Sequence, residues 1–293
     1  MNYSTTSRLA KQTLAEALAR TLDPTTSLID PGYTRAFRQN VVPTISDEAL
    51  AAIMQDLAQG DGSELSSDEQ GRAKACAAYS SSALAVNTFG AWRGERLPAL
   101  RLLGYHGFSK LGFEVKFTTG LRGKPPNLDI VAERGRSLIA VESKCVEYLT
   151  PKPAEFRDSY DAQFKKLASP SWLRRFETTA HGPQEASPLD AAQLLRHYLG
   201  LKHAVVDGAG PYDSATLLYL FWEPANATRY PEFAAHRRAI DEFAAGLEDP
   251  HVTFASQSYS ELWATWRPGA PAWLERLLAQ LDRRYMVPLG EAR

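Results

Sequence analysis

A mixed α/β fold, with helices on both faces of one sheet, follows from three features of the 293-residue sequence. The first ninety residues carry helical spacing and helix-start signals, whereas residues 112–146 switch to the period of two that marks strands. The apolar run ATLLYLFW, Ala215 to Trp222, has strand length and reads as a central strand. Along the chain the order is helices, three strands, a helix, a strand, a helix, a strand and closing helices, the pattern of a mixed sheet covered on both sides.

Each element has its own reason. Leu9, Leu14, Leu18 and Leu22 fall near one helix face, which Pro24 closes. Ser46 before Asp47 and Glu48 is an N-cap with acids in the first turn, opening a helix that ends near Gly60. Ser67 to Gln70 reads as a capping box for the next helical stretch, which runs through Ala-rich sequence into YSSSALAVNTFG. GFEVKFTT, Gly112 to Thr119, alternates apolar and polar residues as a half-buried strand does, and Asn127–Glu133 and Ser137–Val146 are two more β-rich runs. KPPN at 124–127 and the Pro- and Lys-rich region 150–188, with short helices, are the expected long loops. Ser187-Pro188 reads as the start of a helix through Leu189 and Leu199. A helix over 231–247, a short strand over 251–255, a capping box at Ser258 to Glu261 and an amphipathic helix after Pro271 complete the chain. The expected division is an N-terminal helical region, 1–62, and an α/β domain, 63–293.

Composition excludes several classes. Apolar residues make up 44% and charged residues 23%, with mean hydropathy −0.32, so the chain is neither disordered nor fibrous. The run Leu217 to Trp222 is too short to cross a bilayer, and the N-terminus has no uninterrupted apolar core of a secretory signal. Cys76 and Cys145 make neither a disulfide framework nor a C-x-x-C zinc site. A cytoplasmic location and no membrane partner are therefore expected.

Net charge is −1, but the charge is segregated. Residues 44–70 hold seven acids and no Lys or Arg, whereas residues 91–124 hold seven bases against Glu95 and Glu114. Solvated faces are often biased in this way; the sharper reading is a local basic surface for a phosphate-rich ligand, with Lys116, Arg122 and Lys124 as contacts. The acidic block could lie across that surface as a polyanion mimic.

The chemistry concentrates around Gly135. Gly135-Arg136 fits a type II′ hairpin turn, which takes glycine at its first central position. Residues whose numbers sum to 271 then face each other, and Asp129 and Glu142 do so, with Cβ atoms about 4.5–5.5 Å apart. Lys144, two residues further on, projects from the same face. Opposed carboxylates in a partly buried site share a proton or bind a cation. Hard oxygen ligands favour Mg²⁺, which takes one or two carboxylates and keeps several waters. A lysine beside them can orient or deprotonate a water, or offset phosphate charge in a transition state. An E-x-K tripeptide alone is common on solvated strands; here it lies in a strand that is apolar on its other face.

At these residues LDIVAERGRSLIAVESK resembles the PD-(D/E)xK nuclease signature, with Asp129, Glu142 and Lys144 in the two metal positions and the lysine position. Leu128 stands where that signature varies, and Pro126 lies two places earlier than usual. YSSSALAVNTFG, Phe113-Glu114, QLLRHYLGL before LLYLFWEPAN, and SYSELWATW extend the similarity over roughly 62–266, toward a bacterial branch of the superfamily. The resemblance implies a restriction-endonuclease-like αβββαβ core with added N- and C-terminal helices. It also implies a Mg²⁺-dependent endonuclease acting on DNA, with Mn²⁺ able to substitute, and it is compatible with a homodimer. It adds the Ser143 carbonyl and Glu114 as metal-side groups, and Gln193 and Arg196 as supporting residues of the following helix. Two alternatives stand beside it: an RNase of the same fold, and a non-catalytic module binding nucleic acid or protein. His197 and His203, six apart, do not share a helix face and make no metal pair. Cys145 and the tryptophans read as core.

Overall fold

The structure, a computed structural model, describes residues 1–23, 26, 28–29, 32–60, 64–206 and 211–290. Five strands form one sheet in the order β1-β2-β3-β4-β5: β1 (Lys110–Lys116), β2 (Asn127–Arg134), β3 (Ser137–Lys144), β4 (Ser214–Phe221) and β5 (Val252–Ser258). The first three are antiparallel neighbours, and β3, β4 and β5 run parallel. The sheet is therefore mixed, as the element order predicts. β4 is interior, and its apolar sequence follows from burial on both faces.

The hairpin register agrees with the sequence arithmetic, since Ile130 faces Val141 and Arg134 faces Ser137. Gly135 has φ +59° while Arg136 is not among the positive-φ residues, the sign pattern of a type II′ turn. Ser46 caps α2 (Asp47–Gln59) by accepting from Ala49 N–H, and Gly60 follows its last turn. The capping box at Ser258 and Glu261 opens α8 (Tyr259–Trp266) in both directions. Helices α1 (Tyr3–Ala19), α3 (Ser81–Phe89), α7 (Pro231–Ala244) and α9 (Ala272–Tyr285) complete the set together with those below. One contiguous core includes Leu14 and Leu18 of α1, Ile53 of α2, the sheet interior, and Leu277 and Leu281 of α9. Pro24 and the boundary at 62/63 lie outside the described residues.

Three local expectations are corrected. Ser67–Gln70 opens no helix, because Asp68 spends its carboxylate on its own turn, accepting from Gln70 and Arg72 N–H groups and pairing with the Arg72 side chain. The first strand begins two residues earlier than Gly112 and stops before Phe117. Within 150–188 the expected short helices are α4 (Ser159–Leu167) and α5 (Pro170–His181), whose Phe164 and Phe176 rings stack 4.0 Å apart. The next helix, α6 (Ala191–Val206), takes its cap from Asp190, which accepts from Gln193 N–H; Ser187 serves only a turn to Leu189. Among the described residues no helix is long and apolar enough to cross a membrane.

The charge segregation resolves into pairings. Asp56 of the acidic block holds Arg93 and accepts from Phe113 N–H, tying α2 to β1. Arg96 lies over Trp273, Lys110 pairs with Glu133, and Lys116 donates to Gln59 O at the end of α2. Arg122 and Lys124 line a basin with residues 152–160 and 190–196.

Candidate active site

Strand β3 ends with Glu142, Ser143 and Lys144, and β2 begins with Asn127, Leu128 and Asp129, so the antiparallel pair brings these termini to one edge of the fold. The β2–β3 ladder stops at Ile130 and Val141, one step short of the two acids. There Asp129 Oδ2 takes the Ser143 N–H at 2.7 Å, in place of a backbone carbonyl. Strand backbone groups alternate in direction, and Lys144 O accepts from Trp222 N on the β4 side. The Ser143 carbonyl therefore points with its N–H toward Asp129. The Ser143 hydroxyl, on the other face, is held by Ser81 O and by Tyr259 Oη at 2.6 Å.

Asp129, Glu142, Ser143, Lys144, Glu114, Asn127 and Gln193 line one cleft of about 350 Å³ together with Glu64, Ser81 and Ser82. Glu142 is 2% exposed. Its Oε1 binds Lys144 Nζ at 2.5 Å, and its Oε2 lies 2.8 Å from His197 Nε2, off the ring N–H axis. Lys144 Nζ also donates to Gln193 Oε1 at 2.8 Å. Gln193 and His197 are four apart on α6 and so share the face turned to β3.

The electrostatics are unequal across the cleft. Burial, then the charges of Glu142 and Glu114, pushes the Asp129 carboxyl well above the ordinary range. Glu114 is pushed up to about 7, by burial first and then by Glu64 and Glu142, against a hydrogen bond from Asn127. Burial would also raise Glu142, but Lys144 and His197 outweigh it and hold Glu142 down to about 2. Glu142, above all, keeps Lys144 well above the usual lysine range despite its burial.

Gln193, expected as a supporting residue, binds the lysine directly, whereas Arg196 points its guanidinium to Glu155 O and the Phe156 ring. Glu114 enters the cleft through a left-handed backbone, φ +52°, a conformation not legible in an alternating strand. His197 is a site residue that the sequence reading does not pick out. Its four-residue spacing from Gln193 is the informative signal, whereas its spacing from His203 says nothing; His203 instead meets Thr118. Cys145 is core, as expected, and five of the six tryptophans are buried.

The donor set fits a hard cation. Among the described residues Asp129 Oδ1 takes no hydrogen bond, and the buried Asn127 Oδ1 in the same cleft also lacks a partner. Among the described residues no group of three or more His, Cys, Asp or Glu forms a ready metal cage. An open site of one or two carboxylates, completed by water, is what Mg²⁺ takes.

A mixed five-stranded sheet with paired carboxylates and a buried lysine at the strand ends defines an α/β protein with an acidic, lysine-bearing cleft. The model of the family described as restriction endonuclease associating with ARP matches residues 28–286, and the chain belongs to that family. No curated protein and no solved structure matches it.

Proposed function

We propose that the protein is a Mg²⁺-dependent nuclease of the PD-(D/E)xK type that hydrolyses DNA phosphodiester bonds, with Asp129, Glu142 and Lys144 as its central residues. The observation that carries this reading is the meeting of those three side chains in one cleft of a chain that belongs to a restriction-endonuclease family. Asp129, Glu142, the Ser143 carbonyl and Glu114 would hold the cation, with Mn²⁺ as a substitute. When bound, such an ion supplies Lewis-acid stabilisation of phosphoryl charge and a more acidic water. Lys144 places an ammonium beside the cleft, where it offsets charge developing on the phosphate in the transition state. Gln193 and Glu142 fix that ammonium from two directions, and His197 fixes Glu142 in turn. Preorganisation of this kind avoids reorganisation during the reaction.

The test is a substrate panel of single-stranded DNA, duplex DNA and RNA with Mg²⁺ or EDTA. Duplex DNA should be cleaved in Mg²⁺ only. Lys144→Ala should lose on the order of 10²–10³ in rate, the scale of a missing transition-state partner. Preferred cleavage of RNA would make the protein an RNase, and metal-independent binding of DNA without turnover would make it a binding module.

A further inference from the structure

Several exposed or half-exposed cations of this protein have a carboxylate: Arg38 has Asp47, Lys110 has Glu133, Arg136 has Asp213, and Arg237 has Glu223 and Glu261. One basin of about 670 Å³ gathers four cations that have none. Arg122 and Lys124, from the loop after β1, meet Arg157, which precedes α4, and Arg196 of α6. None of the four has a carboxylate partner among the described residues. Glu155 also lines the basin, and Asp190 at its edge is taken by Lys152 at 2.7 Å. Four cations against one uncommitted acid, drawn from three separate chain segments, concentrate positive potential in a concave surface, which attracts an anion.

The basin also has a fixed relation to the cleft. Ala192 and Arg196 line the basin, while Gln193 and His197, each one residue further along α6, face Glu142 and Lys144. The Phe156 ring under the Arg196 guanidinium and the bond from Arg196 to Glu155 O set the direction of that side chain. Guanidinium groups suit phosphate oxygens, which they bind in a planar two-point contact.

We propose that this basin is the track for the phosphodiester backbone of the strand entering the cleft, with Arg122, Lys124, Arg157 and Arg196 as its phosphate contacts. The proposal rests on the nuclease reading for the identity of the polyanion, so its test measures binding without cleavage. Anisotropy of a fluorescein-labelled 20-base-pair DNA duplex is followed across a salt series in EDTA. Arg122→Gln combined with Arg157→Gln should lower the salt slope by about 1.8, near 0.9 for each phosphate no longer neutralised, so that the affinity ratio between 50 and 200 mM salt shrinks by about tenfold. Lys110→Gln with Arg136→Gln, charges at the far end of the hairpin, should leave the slope unchanged. A matching RNA duplex distinguishes the two carriers of this backbone by which one binds more tightly. An unchanged slope in the basin pair, or an equal loss in the control pair, overturns the proposal. Polyglutamate displacing the probe as well as unlabelled DNA does also overturns it, and assigns the basin to an acidic protein. The expected slopes in a protein that cleaves nothing uphold the basin and remove the nuclease reading; cleavage with unchanged slopes does the reverse.

Discussion

Removing the charge of Lys144 should cost far more alone than together with Glu142. The Glu142 side chain is 3% exposed and that of Lys144 is 14% exposed, so neither charge can be repaid by water when its partner goes. Lys144→Met leaves Glu142 with His197 alone, and Glu142→Gln leaves Lys144 with Gln193 as its nearest partner. Breaking a buried pair from one side costs about 3–5 kcal/mol, whereas replacing both members by neutral groups of similar volume is often close to neutral. The two single changes would therefore sum to roughly 6–10 kcal/mol if independent, and the double change should cost about 1–3 kcal/mol, a coupling of several kcal/mol. Urea unfolding at pH 7 of the four proteins closes the cycle. Because folding stability is typically only about 5–15 kcal/mol, Lys144→Arg serves as a milder single variant that keeps the charge. Costs that add within about 0.5 kcal/mol would refute the reasoning, since they would mean the two charges do not depend on each other.

Three further outcomes follow from the packing. Asp129→Asn keeps an acceptor for Ser143 N–H while removing a carboxylate from a buried acidic cleft, so it should raise the thermal midpoint measured in EDTA; a lower midpoint would mean the acids do not repel. Asp249, whose side chain is fully buried, resists its own burial through Lys202, the His251 and Val252 N–H groups and Tyr198, which together hold its carboxyl below the usual range. Its folded value lies under the unfolded value of about 3.9, so its contribution is complete above that pH and fades as pH falls through the folded value. Asp249→Ala should accordingly cost about 3–5 kcal/mol at pH 7 and less near pH 2, compared by urea midpoints; an equal cost at both would contradict the charge argument. Gly200 lies where α6 crosses the Phe117 backbone, and an added Cβ would sit 2.8 Å from Phe117 O. Gly200→Ala gains about 1 kcal/mol of helix propensity and should still lower the thermal midpoint, because overpacking against backbone costs about 1–3 kcal/mol or more.

What the sequence revealed was local. The turn glycine at 135 set the hairpin register, and that register placed Asp129, Glu142 and Lys144 together; caps at Ser46 and Ser258 fixed two helix starts because their partners lie three residues away. What it hid depends on distant chain. Only the docking of α6 on the sheet turns Gln193 to Lys144 in the cleft and His197 to Glu142 behind it. Glu114 reaches the site through a backbone conformation that alternation cannot report. The basic stretch is subdivided in space: Arg93 and Lys110 find carboxylates from α2 and β2, and Arg157, outside the stretch, joins Arg122.

The most direct test of the central claim is the initial rate of duplex DNA cleavage in Mg²⁺ by the unaltered protein, Asp129→Asn and Glu142→Gln, each checked for folding. Cleavage by the unaltered protein alone, lost on adding EDTA, is the predicted result. Cleavage that survives EDTA, or that persists in either folded variant at the unaltered rate, would place the chemistry outside the cleft at the end of β3.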